Sequence, residues 1–156
     1  MQPALRRQWP RLLTKPEIRR LSQALNEIWR ANAATAIHLE VDFVDEATIC
    51  TLHRDFLQDA ASTDVITFDL GVTPAGERIA AVAICVPVAQ RYAKRFNVPL
   101  REELQRLVIH GVLHLLGFDD HRTAEKKRMR YYENKALRRG ERAGAAAIKR
   151  MANIHK

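Results

Sequence analysis

The sequence predicts a single domain in which α-helices are combined with a few β-strands. Its 156 residues fit one domain, and a hydrophobic content of 47% is ordinary for a globular protein. Apolar residues recur with helical spacing in five segments and follow strand-like patterns in three. We therefore expect one folded domain over residues 1–139, followed by a basic tail over residues 140–156.

Two helices and three strands are expected in the first part of the chain. Residues 16–30 begin with a proline and place Ile18, Leu21 and Leu25 on one helix face. Residues 36–44 alternate apolar and polar side chains, as a half-buried strand does. Asp45 is expected to cap a helix that runs to about residue 56. Residues 64–69 and 78–85 are predicted strands, separated by a turn region at residues 71–76.

Three helices are expected in the second part. The first, residues 87–97, opens with a proline. The second, residues 100–116, is polar at its start and apolar on nearly every side later, so its second half should be buried. The third, residues 123–139, is a basic amphipathic helix, for which Thr123 is the predicted cap.

Charge is distributed unevenly along the chain. The formal net charge of +8 divides into +5 for residues 1–30, −6 for residues 31–121 and +9 for residues 122–156. A basic terminus attracts polyanions such as nucleic acid, although it can also be a solvated tail that aids solubility. Residues 1–14 lack the apolar stretch of an export signal, and no window is long enough for a membrane span. The expected location is the cytoplasm, without membrane association.

Two histidines on the apolar helix are the strongest functional signal. His110 and His114 are four residues apart, which places both imidazoles on one helix face, able to share a metal ion. Gly117 can end the helix in a left-handed conformation and reverse the chain. The alternative, two hydrogen-bonded core histidines, is less favoured because ligand-type residues follow this turn. The two cysteines, Cys50 and Cys85, form no thiolate zinc motif.

Either of two residues in the turn can complete the site. Asp120 lies ten residues after His110, and His121 lies eleven after it. Zinc accepts both carboxylate and imidazole ligands, so the pattern leaves this choice open. Asp119 is expected to orient a ligand imidazole instead of binding directly. Three protein ligands leave a coordination position open for water, as in catalytic zinc sites.

Gly111 distinguishes this helix from that of the common zinc peptidases. It occupies the position at which a His-Glu-x-x-His peptidase carries its general base, so peptide hydrolysis by that route is not expected. A glycine inside a helix costs about 1 kcal/mol relative to alanine. Close packing or close approach of a substrate is therefore expected there.

The histidine segment HGVLHLLGFDDH resembles the HGxLHLxGYDH signature of the YbeY family of rRNA-processing endoribonucleases. Residues 52–68, LHRDFLQDAASTDVITF, and residues 84–87, ICVP, are also similar to family segments. The resemblance implies a zincin-like α+β fold with a small mixed sheet packed against helices. It also implies one Zn²⁺ per chain and cleavage of single-stranded RNA. Its partners would be rRNA and the small ribosomal subunit, in 16S rRNA 3′-end maturation and ribosome quality control.

Two departures from the family pattern bear on the candidate site. The family's third histidine aligns with Asp120. Met129 keeps the family's spacing to that position, which favours Asp120 as the third ligand. The preference of zinc for imidazole favours His121 instead. The family arginine that follows an aromatic residue falls on Leu57. The resemblance therefore leaves two candidate catalytic residues, Arg54, one helical turn from Leu57, and Asp64, which matches a family position.

The resemblance, together with the histidine pair, implies a zinc-dependent, single-strand-specific endoribonuclease that acts on rRNA, and the basic terminal helices are expected to hold the phosphate backbone. Two alternatives remain. One is a non-catalytic ribosome assembly factor with structural zinc, which Leu57 favours. The other is a metallopeptidase, which Gly111 disfavours.

Overall fold

The computed structural model of the chain describes residues 4–5, 12–33, 35–58 and 63–138, so the predicted tail at 140–156 lies outside the described residues. Four strands and five helices make up this part of the chain. In order they are β1 (Ala4–Leu5), α1 (Lys15–Asn32), β2 (Ile37–Val44), α2 (Glu46–Leu57), β3 (Val65–Val72), β4 (Arg78–Cys85), α3 (Val86–Phe96), α4 (Leu100–Leu115) and α5 (Thr123–Leu137). The predicted α+β class is confirmed.

The four strands form one mixed sheet in the order β1-β2-β4-β3. Strand β2 is parallel to both β1 and β4, and β3 is antiparallel to β4. In the described part of the sheet, β3 is therefore an edge strand. Its register places Thr67 opposite Val82, and these two residues support the helix that carries the histidine pair.

Local signals explain most helix boundaries. The Thr14 side chain and Glu17 form a capping box at the start of α1, and the Asp45 carboxylate accepts the Thr48 N–H at the start of α2 at 2.8 Å. Asp45 is the cap that the sequence predicts. Thr123 is not a cap, because α5 begins at this residue and Arg122 precedes it as the N-cap. There the Glu125 carboxylate accepts the Arg122 N–H at 3.0 Å.

The end of β3 also differs from the prediction. The strand continues to Val72, so the turn begins at Thr73 and not at Gly71. Gly71 has a φ of +96°, and the pairing with β4 shifts register between Asp69 and Val72. A glycine can adopt this left-handed conformation at little cost, so it marks a bulge within the strand here.

The sheet is covered on both faces, which makes α4 a buried helix. One face packs against α1 and α4, and α2 packs on the other face around Ile49. Helix α4 buries a set of apolar residues, Leu104, Leu107, Val108, Ile109, Val112 and Leu113. Among the described helices, none combines the length and apolar composition needed to cross a membrane. A rigid, buried helix therefore carries the residues of interest.

Candidate metal centre

His110 and His114 lie one turn apart near the end of α4 and face each other. Their Nε2 atoms are 2.9 Å apart, and their ring centroids are 4.5 Å apart. Both side chains are partly buried. The helical spacing therefore brings two imidazole nitrogens to one point, as the sequence predicts.

The other ring nitrogen of each histidine has a partner that fixes its tautomer. The Nδ1 of His114 lies 3.0 Å from the carbonyl oxygen of Phe118, and the Nδ1 of His110 lies 2.5 Å from Oε1 of Glu133. A carbonyl oxygen and a carboxylate only accept, so each Nδ1 must donate a proton. A neutral ring that donates from Nδ1 has a lone pair on Nε2. When both rings are neutral, two lone pairs therefore point at the same place.

The turn after α4 brings a carboxylate to this place. Gly117 has a φ of +91°, and the Phe118 N–H returns to the carbonyl of Leu113 at 3.1 Å. This is the glycine-terminated helix end that the sequence predicts. The chain then reverses, and the Asp120 carboxylate lies 3.5 Å from Nε2 of His110 and 3.7 Å from Nε2 of His114.

His121 points away from the histidine pair. Its side chain is 86% exposed, and its Nε2 lies 3.3 Å from the Asp119 carboxylate. Asp119 also accepts the backbone N–H of Asp120 at 2.7 Å and that of His121 at 3.3 Å, which stabilises the turn. Asp119, Asp120 and His121 form a second, more exposed group with spacing suited to a metal. Of the two candidate third ligands, the structure brings Asp120 to the histidine pair.

The donor set formed by His110, His114 and Asp120 fits a small divalent cation. Ligand atoms at 2.0–2.1 Å from a tetrahedral ion are separated from each other by roughly 3.3 Å. The two Nε2 atoms are 2.9 Å apart, Oδ2 of Asp120 lies 3.5 Å from Nε2 of His110, and Oδ1 of Asp120 lies 3.7 Å from Nε2 of His114, so each distance is close to that value. With Nδ1 as the donor in both rings, every atom that faces the centre is an acceptor, so a bound cation satisfies all three. These side chains could hold a metal ion, and their ligation stays a prediction.

A buried ionic network supports His110 from behind. The second carboxylate oxygen of Glu133 lies 3.7 Å from Arg106 and 3.5 Å from Arg130. Arg106 also lies 3.5 Å from the carboxylate of Glu103, and the Arg106, Glu103 and Glu133 side chains are each about 5% exposed. Sequence reasoning missed Glu133 and Arg106. The available signal was a charged residue at position 106 that directly precedes the apolar run of residues 107–109.

The electrostatic environment gives the two histidines opposite pKa shifts. Burial opposes the charged form of His110, but its hydrogen bond to Glu133 and the nearby carboxylates outweigh burial and raise its pKa. Burial and the neighbouring His110 lower the pKa of His114. Burial also raises the pKa of Asp64. One ring is therefore tied to a carboxylate, while the other favours the neutral, metal-binding form.

The centre opens into a cleft of about 440 Å³. Its walls come from α3, α4, α5 and the start of β3, with Asp64, Tyr92, Phe96, Glu103, Arg106, Leu107, His110, Asp120, Lys126, Met129, Arg130 and Glu133 as lining residues. A larger hollow of about 720 Å³ between α3 and α4 contains none of the predicted site residues. The cleft thus joins the candidate metal ligands to basic side chains on α5.

The two candidate catalytic residues have different positions. Asp64 lines the cleft, as expected for a side chain near the reaction centre. Arg54 lies on α2, pairs with Asp55 at 3.3 Å and is absent from the described residues that line the cleft. Leu57, at the family arginine position, is 56% exposed at the end of α2. No roles are fixed by these placements.

Comparison with known proteins identifies the family of the chain. The family model described as Endoribonuclease YbeY matches residues 7–141. Endoribonuclease YbeY of Aquifex aeolicus is 32% identical over 139 residues, covering 85% of this chain and 93% of the relative. The protein of the same name from Bordetella avium is 38% identical over 104 residues, covering 67% of this chain and 65% of the relative. The solution structure of TM1509 from Thermotoga maritima matches with a TM-score of 0.57 and 28% identity, covering 88% and 87% of the two chains. The chain belongs to the YbeY endoribonuclease family.

Proposed function

We propose that the chain is a zinc-dependent endoribonuclease that cleaves single-stranded RNA. The observation that carries the proposal is the convergence of His110, His114 and Asp120 on one point, with His110 and Asp120 lining a cleft. Membership in a family of endoribonucleases supports RNA as the substrate. Two imidazoles and one carboxylate are the ligand types of catalytic zinc sites, in which a fourth position is left for water.

Each group in the cleft has a proposed role. His110, His114 and Asp120 would hold the ion, which when bound supplies Lewis-acid polarisation of a water or phosphoryl oxygen. Lys126 and Arg130 on α5 line the same cleft and would bind the phosphate backbone. Through these two residues, the basic helix α5 would contribute to RNA binding.

Asp64 is our candidate for proton exchange at the reacting phosphate. Its carboxyl group lines the cleft, and burial raises its pKa. A raised pKa lets a carboxyl group hold a proton nearer to neutral pH than an exposed one can. Arg54 lies outside the cleft lining, so its role would be limited to binding the phosphate backbone of the substrate.

The biological substrate we propose is the 3′ end of 16S rRNA, with a role in ribosome quality control in the cytoplasm. The support is the family resemblance and the basic helix α5. A precursor RNA that spans the 3′ end, supplied on purified small subunits, would test the assignment by mapping of the new ends.

The nuclease is tested by incubating purified chain with a labelled single-stranded RNA and with its duplex. We expect zinc-dependent cleavage of the single strand, loss of cleavage in His114→Ala, and normal cleavage in His38→Ala. His38 is a suitable control because it pairs with Glu77 on the sheet surface at 2.7 Å and is no part of the cleft lining. Equal cleavage by parent and His114→Ala would indicate a contaminating nuclease and refute the proposal. Anomalous scattering at the zinc edge would identify the ion and its ligands.

A non-catalytic assembly factor is the second candidate, and Leu57 in place of the family arginine favours it. This candidate predicts a protein that retains zinc and binds small subunits but leaves RNA intact. A metallopeptidase fits less well. A Cβ at Gly111 would lie 2.8 Å from Oγ1 of Thr67 and 2.9 Å from Cγ2 of Val82. Position 111 therefore faces the sheet, where a glutamate could not act as a general base.

A further inference from the structure

Two aromatic rings lie together in the lining of the cleft. Tyr92 and Phe96 are four residues apart on α3, with ring centroids 6.2 Å apart and planes within 7° of parallel. Tyr92 is 38% exposed and Phe96 is 53% exposed. The spacing of one helical turn therefore presents a stacked pair of flat, solvent-accessible rings.

Two arginine guanidinium groups lie over the Phe96 ring. The guanidinium carbon of Arg95 lies 5.8 Å from the Phe96 ring centroid, and that of Arg130 lies 5.9 Å from it. Lys126 lines the same cleft. Rings interleaved with cations form the surface that binds single-stranded nucleic acid, because bases stack on the rings while cations meet the phosphates.

The aromatic pair and the candidate metal ligands share one cavity. Tyr92 and Phe96 line the same cleft as His110 and Asp120. A strand whose phosphate lies at the metal centre would therefore pass the rings with a neighbouring nucleotide. Bases in a duplex already stack on each other and offer no free face, so the rings can hold only an unpaired base.

We propose that Tyr92 and Phe96 form a base-stacking platform that holds an unpaired nucleobase beside the cleaved phosphate and thereby selects single-stranded RNA. The inference rests on the proposed nuclease function and adds the source of its preference for single strands. Stacking tolerates any base, so the platform confers selection by strand state and not by sequence.

The test is the affinity of zinc-loaded protein for a labelled, non-pairing ten-nucleotide RNA, read by stopped-flow fluorescence anisotropy before cleavage proceeds. Phe96→Leu keeps apolar bulk but removes the ring face, and we expect it to weaken binding roughly 5- to 100-fold. Phe96→Trp should restore binding. Neither change should alter the thermal unfolding midpoint by more than a few degrees, because position 96 is half exposed.

Tyr131→Leu is the matched control. Tyr131 is 49% exposed, and Nζ of Lys135 lies 5.0 Å from its ring centroid, yet it is no part of the cleft lining. We expect this variant to bind as the parent does. A series of RNAs with one abasic nucleotide at successive positions adds a direct readout. At the stacked position, removing the base should abolish the difference between Phe96→Leu and parent.

The outcomes separate the platform from the nuclease. If the parent cleaves single-stranded RNA and Phe96→Leu binds equally well, the platform is refuted while the nuclease stands. Equal losses in Phe96→Leu and Tyr131→Leu, or a Phe96→Leu loss that no abasic position removes, also refute the platform. A parent that neither binds nor cleaves single-stranded RNA refutes both proposals.

Discussion

Replacing Glu133 with glutamine tests how the buried network supports the candidate centre. Glu133 joins His110, at 2.5 Å from its Nδ1, to Arg106 and Arg130. Glutamine keeps an acceptor for Nδ1 but removes the negative charge and turns an amide N–H toward the two arginines. Loss of such an orienting carboxylate typically weakens metal binding by 10- to 100-fold. We therefore expect zinc affinity to fall by that factor, which corresponds to about 1.4–2.7 kcal/mol.

The same change should lower stability without metal. Breaking a buried ion pair by removing one partner costs about 3–5 kcal/mol. Arg106 keeps Glu102 at 3.0 Å and Glu103 at 3.5 Å, so part of this cost is avoided. We expect the free energy of unfolding of the metal-free protein to fall by about 1–3 kcal/mol. Urea denaturation in the presence of a chelator measures this quantity.

Zinc affinity is measured by competition with a chromophoric chelator of known affinity. Glu125→Gln is the matched control, because it removes one negative charge from the same helix at the exposed cap of Arg122. Its zinc affinity should stay within about twofold of the parent, since exposed charges contribute little. If Glu133→Gln binds zinc as tightly as Glu125→Gln does, the carboxylate does not orient a metal ligand and the reasoning fails.

Three further experiments, each based on substitutions, test other parts of the site. Gly111→Ala should destabilise the protein by about 1–2 kcal/mol, because overpacking against the sheet exceeds the gain in helix propensity. Adding Val82→Ala should restore part of this stability, as measured by thermal denaturation. If Gly111→Ala alone loses no stability, the close packing of position 111 is contradicted. Asp120→Ala should weaken zinc retention at least about tenfold, whereas His121→Ala should leave it unchanged. Zinc analysis after dialysis measures the retention of both variants. If His121→Ala loses zinc and Asp120→Ala keeps it, His121 is the ligand. Asp64→Asn should raise the unfolding midpoint of metal-free protein at pH 7. Burial raises the pKa of Asp64, so ionising this carboxyl group destabilises the folded protein. The destabilisation grows as the pH rises above the pKa of the unfolded state, about 3.9, and is absent below it. Equal midpoints for parent and variant at pH 7, or a difference that persists at pH 3, would contradict this.

Sequence periodicity was sufficient for most of the fold. The helical pattern of α4, the Asp45 cap and the alternation in β2 each follow from local preferences, which a single sequence displays. Strand β1 was missed because two residues are too few for any period. The bounds of β3 were missed because Gly71 marks a bulge instead of a turn, and both choices suit a glycine with positive φ.

The candidate site was predictable in part. Spacing on one helix fixed the relation of His110 to His114, and Gly117 fixed the reversal of the chain. The choice between Asp120 and His121 depends on how the turn closes. Asp119 accepts two backbone N–H groups there, and the side chain of His121 points to solvent. Glu133 lies 23 residues from His110 in the chain, and no local pattern encodes such a contact.

The carbonyl group that fixes the His114 ring belongs to a residue of the hydrophobic core. Phe118 is 7% exposed, and its ring centroid lies 5.8 Å from that of Tyr132. The Phe118 carbonyl sets the orientation of the His114 ring, and the Phe118 side chain packs in the hydrophobic core. Apolar packing therefore helps to fix the orientation of this imidazole. A substitution at Tyr132, which is not among the described residues that line the cleft, would therefore shift the His114 ring, and selection on that ring would act on the interior of the protein.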